Sequence, residues 1–249
     1  MKIDILASGS GGNCISVSSG STVILVDAGI AKTKIEKRLL EVGIRPDEIA
    51  AIFVTHAHAD HIKGLPLANK YRIPVYAGEG EWREIHGVDD ELRRNLEHND
   101  CVTVSLDILF VENFRTYHDA FDPCGYTVEV NGDMKLSICL DTGHVDSDML
   151  EAMADSTHII IEANHDPDLV EASDYPDSVK TRILSDIGHL SNQQTADALS
   201  RLIRGRGERI YLTHLSKSNN MPELALATVE AALRRKGFVN GKHYFCEVV

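Results

Sequence analysis

Short runs of β-branched and aliphatic residues, each closed by glycine, aspartate, asparagine or serine, fill the first half of the chain. They predict strands at 3–7, 15–18, 22–26, 52–55, 75–77, 102–104, 108–114, 125–130 and 134–140. Two helical patterns interrupt them: 32–42 sets Ile35, Leu39 and Val42 on one face, and 60–71 begins inside a run of histidines. From 147 onward the pattern alternates, with helices at 147–154, 177–186, 192–203 and 222–236 and strands at 158–162, 210–213 and 244–248. Strands mixed with amphipathic helices, each needing a face to bury, predict a layered α/β sandwich. No repeat, low-complexity tract or flexible linker divides residues 1–249, which read as one domain.

Composition narrows the function classes. Hydrophobic residues at 43% and charged residues at 25% are ordinary for a globular domain with a sizeable core. Asp plus Glu (38) exceeds Lys plus Arg (25), and the net charge of −13 excludes a generally basic nucleic-acid coat or a polybasic membrane binder. The local exception is 201–210, where Arg201, Arg204, Arg206 and Arg209 outnumber Glu208. Five scattered cysteines without a C-x-x-C pair suggest neither a disulfide framework nor a zinc ribbon. Asp4 interrupts the apolar start, and no apolar run approaches the roughly 20 residues of a membrane span. A cytoplasmic protein without a membrane role is expected.

The 12 histidines carry the chemistry through their placement. At the end of the apolar run 52–55 comes His56-Ala57-His58-Ala59-Asp60-His61, three imidazoles and a carboxylate in six positions. Alternate residues leaving a strand end point into one crevice, and the helix start carries Asp60 and His61 to a neighbouring point. Imidazole with carboxylate suits zinc, manganese or iron, and the spacing predicts two ions. A solvated polar loop would seldom gather histidines so densely.

The segment Thr55-His56-Ala57-His58-Ala59-Asp60-His61-Ile62-Lys63-Gly64 resembles the signature of the metallo-β-lactamase superfamily of dinuclear hydrolases. That resemblance implies a four-layer αββα sandwich and further ligands in a fixed order. His118 in Thr116-Tyr117-His118-Asp119, Asp141 after the apolar run 136–140, and His214 after 210–213 match them. It further implies that His56, His58 and His118 hold one metal, that Asp60, His61 and His214 hold the other, and that Asp141 bridges. Asp60 and Asp141 are thereby catalytic as well as ligating. Two ions 3.5–4 Å apart would lower the pKa of a shared water and neutralise charge on the group it attacks.

Other segments choose among the superfamily's chemistries. Ser8-Gly9-Ser10-Gly11-Gly12-Asn13 could cradle an anion through Ser8, Ser10 and Asn13, or serve as a tight glycine turn. Ser185-Asp186-Ile187-Gly188-His189-Leu190-Ser191 resembles the Gly-His element of transfer-RNA 3′-processing enzymes, in which that histidine helps the leaving oxygen depart. Ile161-Glu162-Ala163-Asn164-His165 resembles their Glu-Ala element, and Glu162 orienting His189 would make a general acid. Asn164, His165, Ser191, Ser216 and Asn219 are candidate substrate contacts, and each also fits a capping or loop role.

Together these segments span almost the whole chain and look like the YycJ/WalJ (VicX) group. The resemblance implies a dinuclear phosphodiesterase, a 5′-to-3′ DNA exonuclease in which a metal-shared hydroxide attacks phosphorus. The interval from Asp141 to His214 is too short for the inserted domain of the RNase J type, and no Gly/Pro-rich arm like that of RNase Z is present. A small-molecule hydrolase acting on a cyclic phosphodiester, thioester or lactone at the same metals stands as the alternative.

Overall fold

The computed structural model describes residues 1–105 and 109–249. The chain forms two compact units, Met1–Arg115 with Ala120–Asp133, and Thr116–Asp119 with Met134–Val249.

In the first unit β1 (Lys2–Ala7), β2 (Cys14–Ser19) and β3 (Thr22–Val26) pair antiparallel, with Ile15 opposite Val26. Helix α1 (Lys32–Glu41) then crosses over, burying Ile35 and Leu39 completely, and β4 (Ile49–Phe53) returns parallel to β3. Full burial of such an aliphatic side chain contributes about 1.5–3 kcal/mol. Beyond β4 lie two short helices, α2 (Ala59–Ile62) and α3 (Pro66–Tyr71), where the periodicity suggests one. The break falls where the Gly64 amide turns back to the Ala28 carbonyl at 2.6 Å and Pro66 opens the next turn without a donor. Parallel strands β5 (Val75–Gly78) and β6 (Arg93–Leu96) complete a sheet of order β1-β2-β3-β4-β5-β6. The polar Arg93-Arg94-Asn95 gives no strand signal and takes its conformation from pairing with β5. Strands β7 (Cys101–Ser105), β8 (Leu109–Arg115) and β9 (Cys124–Val130) form an antiparallel set. Ile108, the expected start of β8, lies outside the described residues.

The second unit holds four parallel strands in the order β10-β11-β12-β13. They are β10 (Met134–Cys139), β11 (His158–Glu162), β12 (Glu208–Thr213) and β13 (Tyr244–Val248). Its helices are α4 (Ser147–Ala152), α5 (Pro167–Ala172), α6 (Asp177–Ile183), α7 (Asn192–Leu202) and α8 (Pro222–Arg235). Ile159, Ile160 and Ile161 are all buried, the unbroken apolar run of a parallel strand covered on both faces. Among the described residues no helix is long and apolar enough to cross a membrane.

In both units the chemistry sits just past the carboxyl ends of parallel strands: Asp27 after β3, His56 after β4, Asp141 after β10, and His214 after β12. Glu162 is the last residue of β11. Open parallel sheets place ligand sites at this end.

Candidate metal centre

Asp27 organises the first unit's donors. Fully buried and at φ 60°, it accepts the Thr55 amide at 2.8 Å and the Thr55 hydroxyl at 3.0 Å. It also accepts His61 Nδ1–H at 2.7 Å. That bond fixes the tautomer of His61 and leaves Nε2 as the lone-pair nitrogen a cation needs. The His61 ring lies 4.1 Å from that of His56, which lies 4.5 Å from that of His58, and Asp60 Oδ2 is 3.8 Å from His61 Nε2. Three imidazoles and a carboxylate therefore converge within the first unit, as the histidine run predicts. Asp27 escapes a reading of motifs because only the parallel pairing of β3 with β4 brings it there; its one signal is an acid directly after a wholly buried strand.

The glycine-rich turn supports this cluster. Asn13 Oδ1 accepts the Gly9 amide at 3.0 Å, and its Nδ2 stands 3.1 Å from His61 Nε2. The Asn13 amide donates to the Asp60 carbonyl at 2.7 Å. A Cβ on Gly29 would lie 1.6 Å from that same carbonyl, so close backbone approach demands glycine here. Asn13 is buried, Ser8 half-buried and Ser10 exposed.

In the second unit His118 donates from Nδ1 to the Gly188 carbonyl at 2.9 Å, which presents its Nε2 3.1 Å from Asp119 and 4.0 Å from Asp141. Burial pushes the His118 pKa down against the pull of these acids, favouring the neutral, ligating form. Gly188 is tightly enclosed, since a Cβ there would come within 2.2 Å of the Ile183 carbonyl. Asp141 and His214 both adopt the left-handed conformation, at φ 47° and 55°, turning sharply off β10 and β12. His214 Nδ1 lies 2.6 Å from Asp141 Oδ1.

Glu162 sits between these groups with no exposed surface. Its Oε1 accepts the amides of Thr142 at 2.7 Å and Leu190 at 3.2 Å, while Oε2 accepts His189 Nδ1–H at 3.0 Å and faces His214 Nδ1 at 3.4 Å. Burial works against its charge, yet His189 and His214 hold the carboxyl below its usual range. Burial also opposes a charged His189, and the Glu162 carboxylate with Asp141 outweighs it and raises the imidazole. Asp141, Glu162, His189 and His214 each offer a ligating atom within 4.8 Å of the others. The donor sets of both units, imidazole nitrogens and carboxylate oxygens on buried walls, fit divalent zinc, manganese or iron.

The candidate substrate contacts of this unit are tied into its backbone, the Ser216 amide donating to the Asn164 carbonyl at 2.8 Å and the Asn192 amide to the His165 carbonyl at 2.8 Å. Asn164 Nδ2 donates to the His214 carbonyl at 2.9 Å, bracing its left-handed turn. Ser191 caps α7, its hydroxyl accepting the Gln194 amide at 3.2 Å. The Ser216 hydroxyl accepts the Asn219 amide at 3.2 Å, and Asn219 itself is fully buried. His165 is buried too, its pKa pushed down to about 4 by that burial. Arg204, Arg206 and Arg209 line a separate cavity of about 210 Å³ at the amino ends of β11 and β12. This cavity lies on the order of 16 Å along β12 from His214.

Comparison with known proteins identifies the family. The family model described as "Beta-lactamase superfamily domain" matches residues 22–215. Exodeoxyribonuclease YycJ of Bacillus anthracis is 37% identical over 251 residues, covering 98% of this chain and 93% of that protein. Exodeoxyribonuclease WalJ of Streptococcus pneumoniae serotype 2 is 37% identical over 235 residues, covering 92% and 86%. Among solved structures, the metallo-β-lactamase fold protein YhfI from Bacillus subtilis superposes with a TM-score of 0.74 at 13% identity, covering 99% of this chain and 95% of that one. Human tRNase Z, short form, reaches 0.65 at 21%, covering 87% and 93%. The α/β metallo-β-lactamase fold expected from the sequence is therefore the fold of this chain, and the chain is a metal-dependent hydrolase. It belongs to the β-lactamase superfamily and, within it, to the family that contains YycJ and WalJ.

Proposed function

We propose that this chain is a dinuclear metal-dependent phosphodiesterase that degrades DNA from the 5′ end, working as one metallo-β-lactamase domain in the cytoplasm. The ligand roles are those the resemblance assigns: His56, His58 and His118 to one ion, Asp60, His61 and His214 to the other, Asp141 to both. Zinc or manganese fits these donors, and iron does as well. Two such ions supply Lewis acidity and a nucleophile at neutral pH when bound. Identity of 37% to exodeoxyribonucleases across almost the whole chain supports the DNA substrate, and the 5′ polarity is the one the resemblance implies. Five free cysteines, three of them buried, fit a reducing compartment.

The observation that carries the reading is the Glu162–His189 bond at 3.0 Å. With Nδ1–H held on a buried carboxylate, a protonated His189 has its Nε2–H left to give to a departing oxygen. A phosphodiester needs that proton because its leaving group is a poorly stabilised alkoxide, whereas a thioester releases a thiolate that departs unaided. Asn164 holds the His214 turn, and the Thr142 and Leu190 amides keep Glu162 aimed.

The test sets short duplex and single-stranded DNA beside a cyclic phosphodiester, a thioester and a lactone, each with added manganese or zinc. Metal-dependent loss of DNA with the small esters untouched is the expected result. Ester cleavage with intact DNA would replace this reading with the small-molecule one.

A further inference from the structure

Glu81 belongs to none of the ligand motifs. It lies in the 3₁₀ turn Glu79–Arg83 after β5, and its side chain has no exposed surface. A carboxylate so enclosed is costly unless its oxygens are satisfied, and here both are. Oε2 accepts the Ala57 amide at 2.7 Å and Oε1 accepts the Asp122 amide at 2.5 Å.

Those two amides have particular places in the chain. Ala57 is the residue between His56 and His58, so one oxygen of Glu81 holds the peptide that spaces two imidazoles. Asp122 leads into β9, whose start is fastened to the end of β4. The Cys124 amide donates to the Thr55 carbonyl at 3.0 Å, and the Tyr126 hydroxyl donates to the Val54 carbonyl at 2.6 Å. The fastening thus advances from Val54 to Thr55 and stops short of the histidines. Glu81 carries it one step further, to Ala57. Asp122 is itself restrained by His98 Nε2, 2.9 Å from its Oδ1.

We propose that Glu81 is a positioning residue for the metal centre: it clamps the Ala57 amide to the Asp122 segment and so fixes the spacing of His56 and His58. This rests on the dinuclear reading above. Loss of groups that orient ligands typically costs about 10- to 100-fold in metal affinity.

The experiment measures zinc and manganese affinity of the full chain by chelator competition, with the cobalt(II) absorption spectrum as a second readout. It compares wild type, Glu81→Gln and Leu39→Ala. Glutamine keeps the shape of Glu81 but turns an N–H₂ toward one of the two amides. Leu39→Ala destabilises the first unit from α1, remote from any ligand in sequence. The expected result is metal affinity lowered about 10- to 100-fold with an altered cobalt spectrum in Glu81→Gln, and neither change in Leu39→Ala. Should Glu81→Gln fail to fold, Glu81→Asp keeps the charge but is too short to reach both amides, and the same loss is expected of it. Metal affinity and spectrum unchanged in the folded Glu81 variant, or lowered equally in Leu39→Ala, would overturn the proposal. A wild-type chain that binds no metal would instead overturn the dinuclear reading on which it stands.

Discussion

His189 Nδ1 stands 3.0 Å from Glu162 Oε2, and the other oxygen of that buried carboxylate is bound to the amides of Thr142 and Leu190. Glu162 is thereby fixed as an acceptor and His189 as its donor. The pair joins two chain segments that sequence alone relates only by resemblance, the end of β11 and the Gly188-His189 turn before α7.

His189→Ala should lower kcat on DNA by about 100- to 10,000-fold, the usual worth of a general acid, while metal content stays at the wild-type value. A phosphodiester with a nitrophenolate leaving group, which departs without a proton, should lose far less. Equal losses on both substrates would remove the acid role from His189.

The same bond sets a pH dependence. Glu162 raises the His189 pKa, so the acid form persists to higher pH and activity on alkoxide leaving groups falls as pH rises through that value. Glu162→Gln removes the charge that raises it and should move the alkaline limb of the kcat profile to lower pH. An unmoved limb would show that another group titrates there.

Asp27→Asn should weaken metal binding about 10- to 100-fold, because the amide cannot accept at once from the Thr55 amide, the Thr55 hydroxyl and His61 Nδ1. Metal analysis after dialysis against a weak chelator measures it. Retention equal to wild type would make Asp27 a strand connector only.

His214 holds φ 55°, a conformation glycine adopts freely and alanine does not. Both His214→Gly and His214→Ala should lose metal, yet the metal-free glycine variant should be the more stable by about 1 kcal/mol in urea unfolding. Alanine as stable as glycine would show that this turn stores no strain.

His165 should make the fold acid-sensitive. Its folded pKa of about 4 lies below the ordinary 6.5, so the unfolded chain takes up the proton first as pH falls. The stability contribution is complete above about 6.5 and shrinks as pH falls toward 4, by roughly 3 kcal/mol in all. In His165→Gln the part of the decline that begins near pH 6.5 should flatten, as read from urea midpoints; an identical pH curve would count against it.

Much of this was legible in the residues. The strands at 22–26 and 158–162 have the bounds their apolar runs indicate, because an uninterrupted aliphatic run between turn residues has few other ways to be buried. The histidine run declares itself by density, and Glu162 with His189 through flanking motifs. What stays hidden is set by non-local pairing. Asp27 reaches His61 only because β3 lies beside β4, Glu81 reaches Ala57 only through a turn after β5, and Arg93–Leu96 becomes a strand only against β5. The arginines of 201–210 read as a local basic stretch, and the fold carries Arg204, Arg206 and Arg209 to the amino end of β12, away from His214.

The most direct test follows 5′- and 3′-labelled DNA incubated with the chain and manganese or zinc, beside a chelator control and His58→Ala. The account predicts stepwise loss from the 5′ end by wild type and none in either control. Intact DNA in the presence of metal-loaded wild-type chain would contradict it, and loss from the 3′ end would contradict its polarity.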